Sequence, residues 1–130
     1  MKLLLDTNAY SELKRGHPGV ADLVRRAQRL YLSSIVVGEL LYGFRLGRRY
    51  RENRSELETF LARERIELVS VTLATADRFG QIMTGLRRQG TPIPTNDVWI
   101  AAHAMETGAE LLSFDGHFDQ VAGLAVLSPS

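Results

Sequence analysis

Four acidic residues, spread over almost the whole chain, stand where a fold of alternating strands and helices can bring carboxylates together. Asp6 follows the apolar run Lys2-Leu3-Leu4-Leu5, and Asp115 follows Glu110-Leu111-Leu112-Ser113-Phe114. Asp97 opens a helical stretch after Pro94-Thr95-Asn96, and Glu39 lies inside the apolar run from Ser34 to Tyr42. Carboxylates in a set, without cysteine and without closely spaced histidines, make a hard oxygen site that suits Mg²⁺ or Mn²⁺ better than zinc. An ion held there can polarise a phosphoryl oxygen, acidify bound water and neutralise a leaving oxygen, which is the chemistry of phosphodiester hydrolysis.

Each acid also has a purely structural reading. Asp6 can cap the helix that follows its strand, Thr-Asn-Asp is a good helix start for Asp97, and Asp115-Gly116 reads as a turn. Glu39 discriminates between the two. On a helix it shares a face with Ile35, Val36, Leu40 and Gly43, so its carboxylate is expected to point inward. An ionised carboxylate there is costly unless it is paired or coordinates a metal, and that face carries no lysine or arginine within a turn. Asp119 is an alternative or supplement to Asp115 as the fourth acid. Asn8, Asn96 and Ser113 are short polar neighbours that can orient carboxylates or bound water. His103 and His117 read as a structural and an exposed loop histidine, and Trp99 and Tyr42 as packing residues.

The elements that must position these groups follow from the apolar pattern. Strands are expected at Lys2–Leu5, Leu30–Ser33, Ile66–Val71, Glu110–Phe114 and Leu124–Leu127, separated by stretches of helical period. Those helices are expected from about Ala9 to Lys14, from Pro18 through Ala27, from Ser33 or Ser34 to Gly47, from Arg51 to Arg63, from Thr72 to about Gly90 through Ala76, Phe79, Met83 and Leu86, and from Asp97 to Thr107. Alternation of this kind predicts an α/β domain with a largely parallel sheet. In such sheets ligands bind beyond the carboxyl ends of the strands, where Asp6 and Asp115 fall.

The 130 residues read as one domain, 1–130, with an ordinary 45% hydrophobic and 24% charged composition. Three leucines before Asp6 are too few for a signal-peptide core and no stretch reaches membrane-spanning length, so a cytoplasmic protein without membrane contact is expected. With no cysteine, disulfides and cysteine catalysis are excluded. The net charge is only +1, yet fourteen arginines stand against two lysines, and Arg45, Arg48, Arg49, Arg51 and Arg54 fall within ten residues. Guanidinium groups suit bidentate phosphate contacts, so Arg45, Arg48 and Arg49 are candidate RNA contacts, although a solvated helix face explains them equally.

Leu3-Leu4-Leu5-Asp6-Thr7-Asn8, the helix with Glu39-Leu40, Pro94-Thr95-Asn96-Asp97-Val98-Trp99-Ile100-Ala101-Ala102 and Leu111-Leu112-Ser113-Phe114-Asp115-Gly116-His117-Phe118 together resemble the PIN domain. Their order and spacing look most like those of the VapC toxins of toxin–antitoxin pairs. The resemblance spans essentially the full chain. It implies an α/β/α sandwich around a mostly parallel five-stranded sheet, and Mg²⁺- or Mn²⁺-dependent endoribonuclease activity, often on tRNA or rRNA. It also implies a homodimer and a cognate antitoxin that holds the enzyme inactive. Asp6, Glu39, Asp97 and Asp115 occupy the four family acidic positions, Asp6 and Asp97 foremost as metal ligands. Ser113-Phe114 departs from the threonine and polar residue that many members carry there.

Two other readings compete. A phosphohydrolase resembling the haloacid dehalogenases would use Asp6 as nucleophile, but that family needs a second aspartate at the position of Asn8. A non-catalytic RNA-binding module would use the acids for a structural metal or as caps, and the arginines for phosphates; RNA that stays bound and uncleaved with Mg²⁺ would favour it.

Overall fold

The computed structural model describes residues 1–129. Five strands, β1 (Lys2–Leu5), β2 (Arg29–Ser33), β3 (Ile66–Val69), β4 (Glu110–Leu112) and β5 (Val126–Leu127), form one sheet in the order β3-β2-β1-β4-β5. All four pairings are parallel, with Leu4 opposite Tyr31 on one side and Leu111 on the other. A parallel sheet buried on both faces needs continuous apolar strands rather than alternation. Leu3, Leu4 and Leu5 of the central strand are accordingly all without solvent exposure.

Six helices make the crossovers: α1 (Thr7–Lys14), α2 (Pro18–Arg26), α3 (Ser34–Leu46), α4 (Tyr50–Leu61), α5 (Leu73–Gln89) and α6 (Thr95–Thr107). The chain steps from β1 to β2 to β3 in one direction and then returns past β1 to β4. Right-handed crossovers therefore put α1–α4 on one face of the sheet and α5–α6 on the other. The sandwich closes on α5 and α6, where the Phe79 and Trp99 rings stack with centroids 3.9 Å apart. Both helices end on a left-handed glycine, Gly90 and Gly108, each at φ 72°.

Several expected boundaries shift, for local reasons. α1 begins at Thr7 instead of Ala9, because Asp6 caps it. β3 and β4 stop at Val69 and Leu112, short of Val71 and Phe114, and β5 contains only Val126 and Leu127. α6 starts at Thr95, so Asp97 lies in its first turn instead of opening it, and the cap position belongs to Pro94. On α5 the buried stripe passes through Thr75, Ile82 and Leu86, whereas Met83 is exposed. One residue of helix rotates the face by a quarter turn, and the position of Thr72 as cap sets the phase. Tyr42 is not a packing residue, because it stands on the exposed side of α3.

Candidate metal centre

Asp6 ends the central strand and turns its carboxylate back over the edge of the sheet. Its Oδ1 accepts from the backbone N of Ala9 at 2.8 Å, and its Oδ2 from the Ser113 hydroxyl at 2.5 Å. Ser113 lies just past β4, the neighbour of β1, and its Oγ also accepts from the backbone N of Asp115 at 2.9 Å. One buried hydroxyl thus joins Asp6 to Asp115. Asp115 in turn caps the 3-10 turn Gly116–Gln120, accepting from the backbone N of His117 at 2.9 Å.

The other two acids come from opposite faces of the sheet. Asp97 arrives from α6, and Glu39 from α3. Glu39 Oε1 accepts from the Thr7 hydroxyl at 2.6 Å and Oε2 from the Asn96 amide at 3.3 Å. Its expected burial is not what the fold provides. Val36 and Leu40 are the buried residues of α3, Gly43 is exposed, and Glu39 is half-buried, beside the core instead of within it. Two neutral donors and access to solvent satisfy its carboxylate.

Asp6, Glu39, Asp97, Asp115, Asn8 and Asn96 line one open cleft of about 510 Å³ at the carboxyl edge of the strands. No lysine or arginine lines it. The only cationic candidate is His117, whose Nδ1 is 3.0 Å from Asp115 Oδ1 and 3.4 Å from Asp97 Oδ2. Burial, with the charges of Asp115 and Glu39 added, pushes Asp97 up to about 6 against the opposing pull of His117. Burial likewise raises Asp6, and the Asp115 and Glu39 charges add to it, while the Ser113 and Ala9 hydrogen bonds work the other way. Carboxyl groups held back from ionisation by burial first, and by acidic neighbours second, have the electrostatics of a site that can accept a cation. Donor atoms of Asp97, Asp115 and His117 all lie within 4.8 Å of one another, close enough to share one ion. The residues fit a divalent metal.

The remaining predicted residues fall elsewhere. Ser113 is fully buried beneath the cleft, where it holds two acids. Asp119 is exposed on the 3-10 turn and does not line the cleft. Arg45 lies at the far end of α3, its guanidinium 4.2 Å over the Tyr50 ring, and Arg49 borders a different depression with Lys14 and Arg15. Arg48 is exposed between α3 and α4. None of the three approaches the acids. Sequence reasoning passed over Thr7 and set His117 aside. Thr7 directly follows a strand-ending aspartate and His117 is two residues past another, and in each case that adjacency was the available signal.

Comparison with known proteins gives the family of this fold. Residues 3–124 match the family described as PIN domain. Ribonuclease VapC2 of Rickettsia felis is 31% identical over 117 residues, covering 87% of this chain and 86% of the relative. The tRNA(fMet)-specific endonuclease VapC of Shigella flexneri is 31% identical over 127 residues, covering 95% of each. Among solved structures, VapBC2 from Rickettsia felis bound to a DNA fragment from its promoter superposes over the whole of both chains, with a TM-score of 0.85 and 27% identity. The chain belongs to the PIN-domain family, in its branch of VapC ribonucleases. No helix among the described residues is long and apolar enough to cross a membrane.

Proposed function

We propose that the protein is a Mg²⁺- or Mn²⁺-dependent endoribonuclease, the toxin of a toxin–antitoxin pair acting on tRNA or rRNA in the cytoplasm. The observation that carries this reading is the cleft itself: four carboxylates with no lysine or arginine among them, one already raised to about 6 by its surroundings. The relatives' activities and the antitoxin complex among similar structures supply the substrate class and the partner.

Asp6, Asp97 and Asp115 would hold the ion, with His117 completing the donor set. An ion held there would supply Lewis-acid polarisation of the phosphoryl oxygen and compensate its charge. Ser113 keeps Asp6 and Asp115 at fixed separation by donating to one and accepting from the backbone of the other. Glu39, which accepts from Thr7 and Asn96, would orient the attacking water and take its proton. Water adds to phosphorus, the bond to the leaving ribose oxygen breaks, and that oxygen regains a proton from solvent. Asn8, on the wall of the cleft, offers an amide to a phosphate oxygen or to the ribose.

The test is cleavage of total tRNA and rRNA by the purified protein with Mg²⁺ or Mn²⁺ against EDTA, alongside Asp97→Asn. Metal-dependent fragments absent from the variant are expected. Fragments of equal strength from the variant would place the chemistry somewhere other than this cleft.

A further inference from the structure

Phe114 stands out for where the fold leaves it. It sits between Ser113, which holds Asp6, and Asp115, which lines the cleft, yet the residue is 42% exposed. Tyr42, Leu46, Leu68, Val71, Leu73 and Met83 are also exposed, and of these only Tyr42 is aromatic; it lies one helical turn past Glu39, whereas Phe114 directly adjoins a cleft acid in the chain. The ring has one aromatic neighbour. The His17 imidazole meets it edge to face, with centroids 5.3 Å apart and planes at 67°.

His17 is itself fixed. Its Nδ1 accepts from the backbone N of Val20 at 3.2 Å as the cap of α2, which leaves the proton of the neutral ring on Nε2. That N–H makes no hydrogen bond among the described residues. Two rings locked against each other lose little freedom when a third is laid on them. An edge-to-face contact covers at most one face of one ring, so an aromatic surface stays open one residue along the chain from Asp115, outside the lining of the cleft itself.

We infer that Phe114, braced by His17, is a stacking platform for a nucleobase of the RNA strand whose phosphate lies in the carboxylate cleft. The inference rests on the nuclease reading for the identity of the strand. Single-stranded RNA is recognised through unstacked bases laid on aromatic side chains, and each such base contributes about 1–3 kcal/mol, or roughly 5- to 150-fold in affinity. Stacking tolerates any base, so the platform holds the strand in register, and the Nε2–H of His17 adds a donor for one base edge or phosphate.

Binding separates this from the chemistry. The full-length protein is titrated into a labelled 12-mer oligoadenylate and into an abasic 12-mer of equal phosphate number. Both titrations are run on ice with Ca²⁺ to neutralise the acids, and strand integrity is checked on a gel. Wild type should prefer the base-bearing strand. Phe114→Leu should reduce that preference at least fivefold while abasic binding stays unchanged. Phe114→Tyr should restore it, and His17→Asn, which keeps a capping side chain, should weaken it in part. Equal binding of both strands by wild type would overturn the proposal, as would a preference that survives Phe114→Leu or is not restored by Phe114→Tyr. So would a variant whose RNA preference is intact but whose capture of the antitoxin fails, since the ring would then serve a protein. If wild type shows the base preference but cuts no RNA with Mg²⁺ or Mn²⁺, the nuclease reading fails and the platform stands.

Discussion

The two charged regions of this molecule are opposites in more than sign. At the carboxyl edge of the sheet, four acids face one another with a single histidine for relief, and burial raises two of them. At the α3–α4 corner, five arginines within ten residues stand in solvent, where Arg49 pairs with Glu52, Arg54 with Glu58, and Arg45 rests on Tyr50. Like charges in water are screened within about 10 Å at ordinary salt and cost little. Half-buried like charges retain their repulsion. A cluster that stays charged in the open tells little about function. One that stays together against its own repulsion points to what would relieve it.

The largest effect that would break this contrast belongs to Asp97. Asp97→Asn should lower RNA cleavage on the order of 10²–10³-fold, the loss of several kcal/mol of charge stabilisation. The metal-free variant should melt no lower than wild type, because it loses a charge that burial, and secondarily Asp115 and Glu39, disfavour. Steady-state cleavage and a thermal melt in EDTA check the pair of outcomes, and a variant that melts lower would mean that Asp97 is structural.

Next comes pH. With Asp97 near 6 when folded and 3.8 as its ordinary value, the native protein holds more protons than the unfolded chain between about pH 4 and 6. This carboxyl therefore helps the metal-free fold most below pH 4, and that help is lost as pH rises through 6. Metal works in reverse, since only the ionised cluster attracts it. Melting with and without Mn²⁺ at pH 5 and 7.5 should show a clear metal-induced rise at 7.5 and little at 5. An equal rise at both would put the ion elsewhere.

A smaller effect follows from Ser113→Ala. Removing the hydroxyl leaves the buried Oδ2 of Asp6 without its donor and the N–H of Asp115 without its acceptor, at a cost of about 1–3 kcal/mol. Metal affinity should fall roughly 10- to 100-fold, as when a group supporting a ligand is removed. Titration of Mn²⁺ against melting temperature reads both. The smallest effects belong to the arginine corner: Arg45→Ala, Arg48→Ala and Arg49→Ala should each change stability by less than about 0.5 kcal/mol. A chemical denaturation series showing a larger loss would give that corner a structural role it does not display.

Most of the frame could be read from the sequence because its signals are local. Leu3-Leu4-Leu5 followed by Asp6 is a buried strand and a cap whatever surrounds it, and Ser33 caps α3 as expected, accepting from the backbone N of Ile35 at 3.0 Å. The family motifs then put the four acids in order. Facts requiring two elements at once were not legible. Glu39 belongs beside the core and not in it because Thr7 and Asn96, from two other helices, meet it there. His117 looked like an idle loop residue because only the 3-10 turn folds its ring back between Asp115 and Asp97. Helical phase also escaped, since Ile82 and Met83 are equally apolar and the face is decided by where the helix starts.

The hydrogen bond from Ser113 to Asp6 joins residues 107 positions apart, and it bridges the central strand to its later neighbour. During synthesis, at about 5–20 residues per second, the first acid emerges many seconds before the serine that holds it. Until β4 pairs with β1, no partial chain owns a complete cleft. A nascent nuclease beside the ribosome's own RNA is thus disarmed by the order of its strands, and becomes dangerous only when almost all of it has been made.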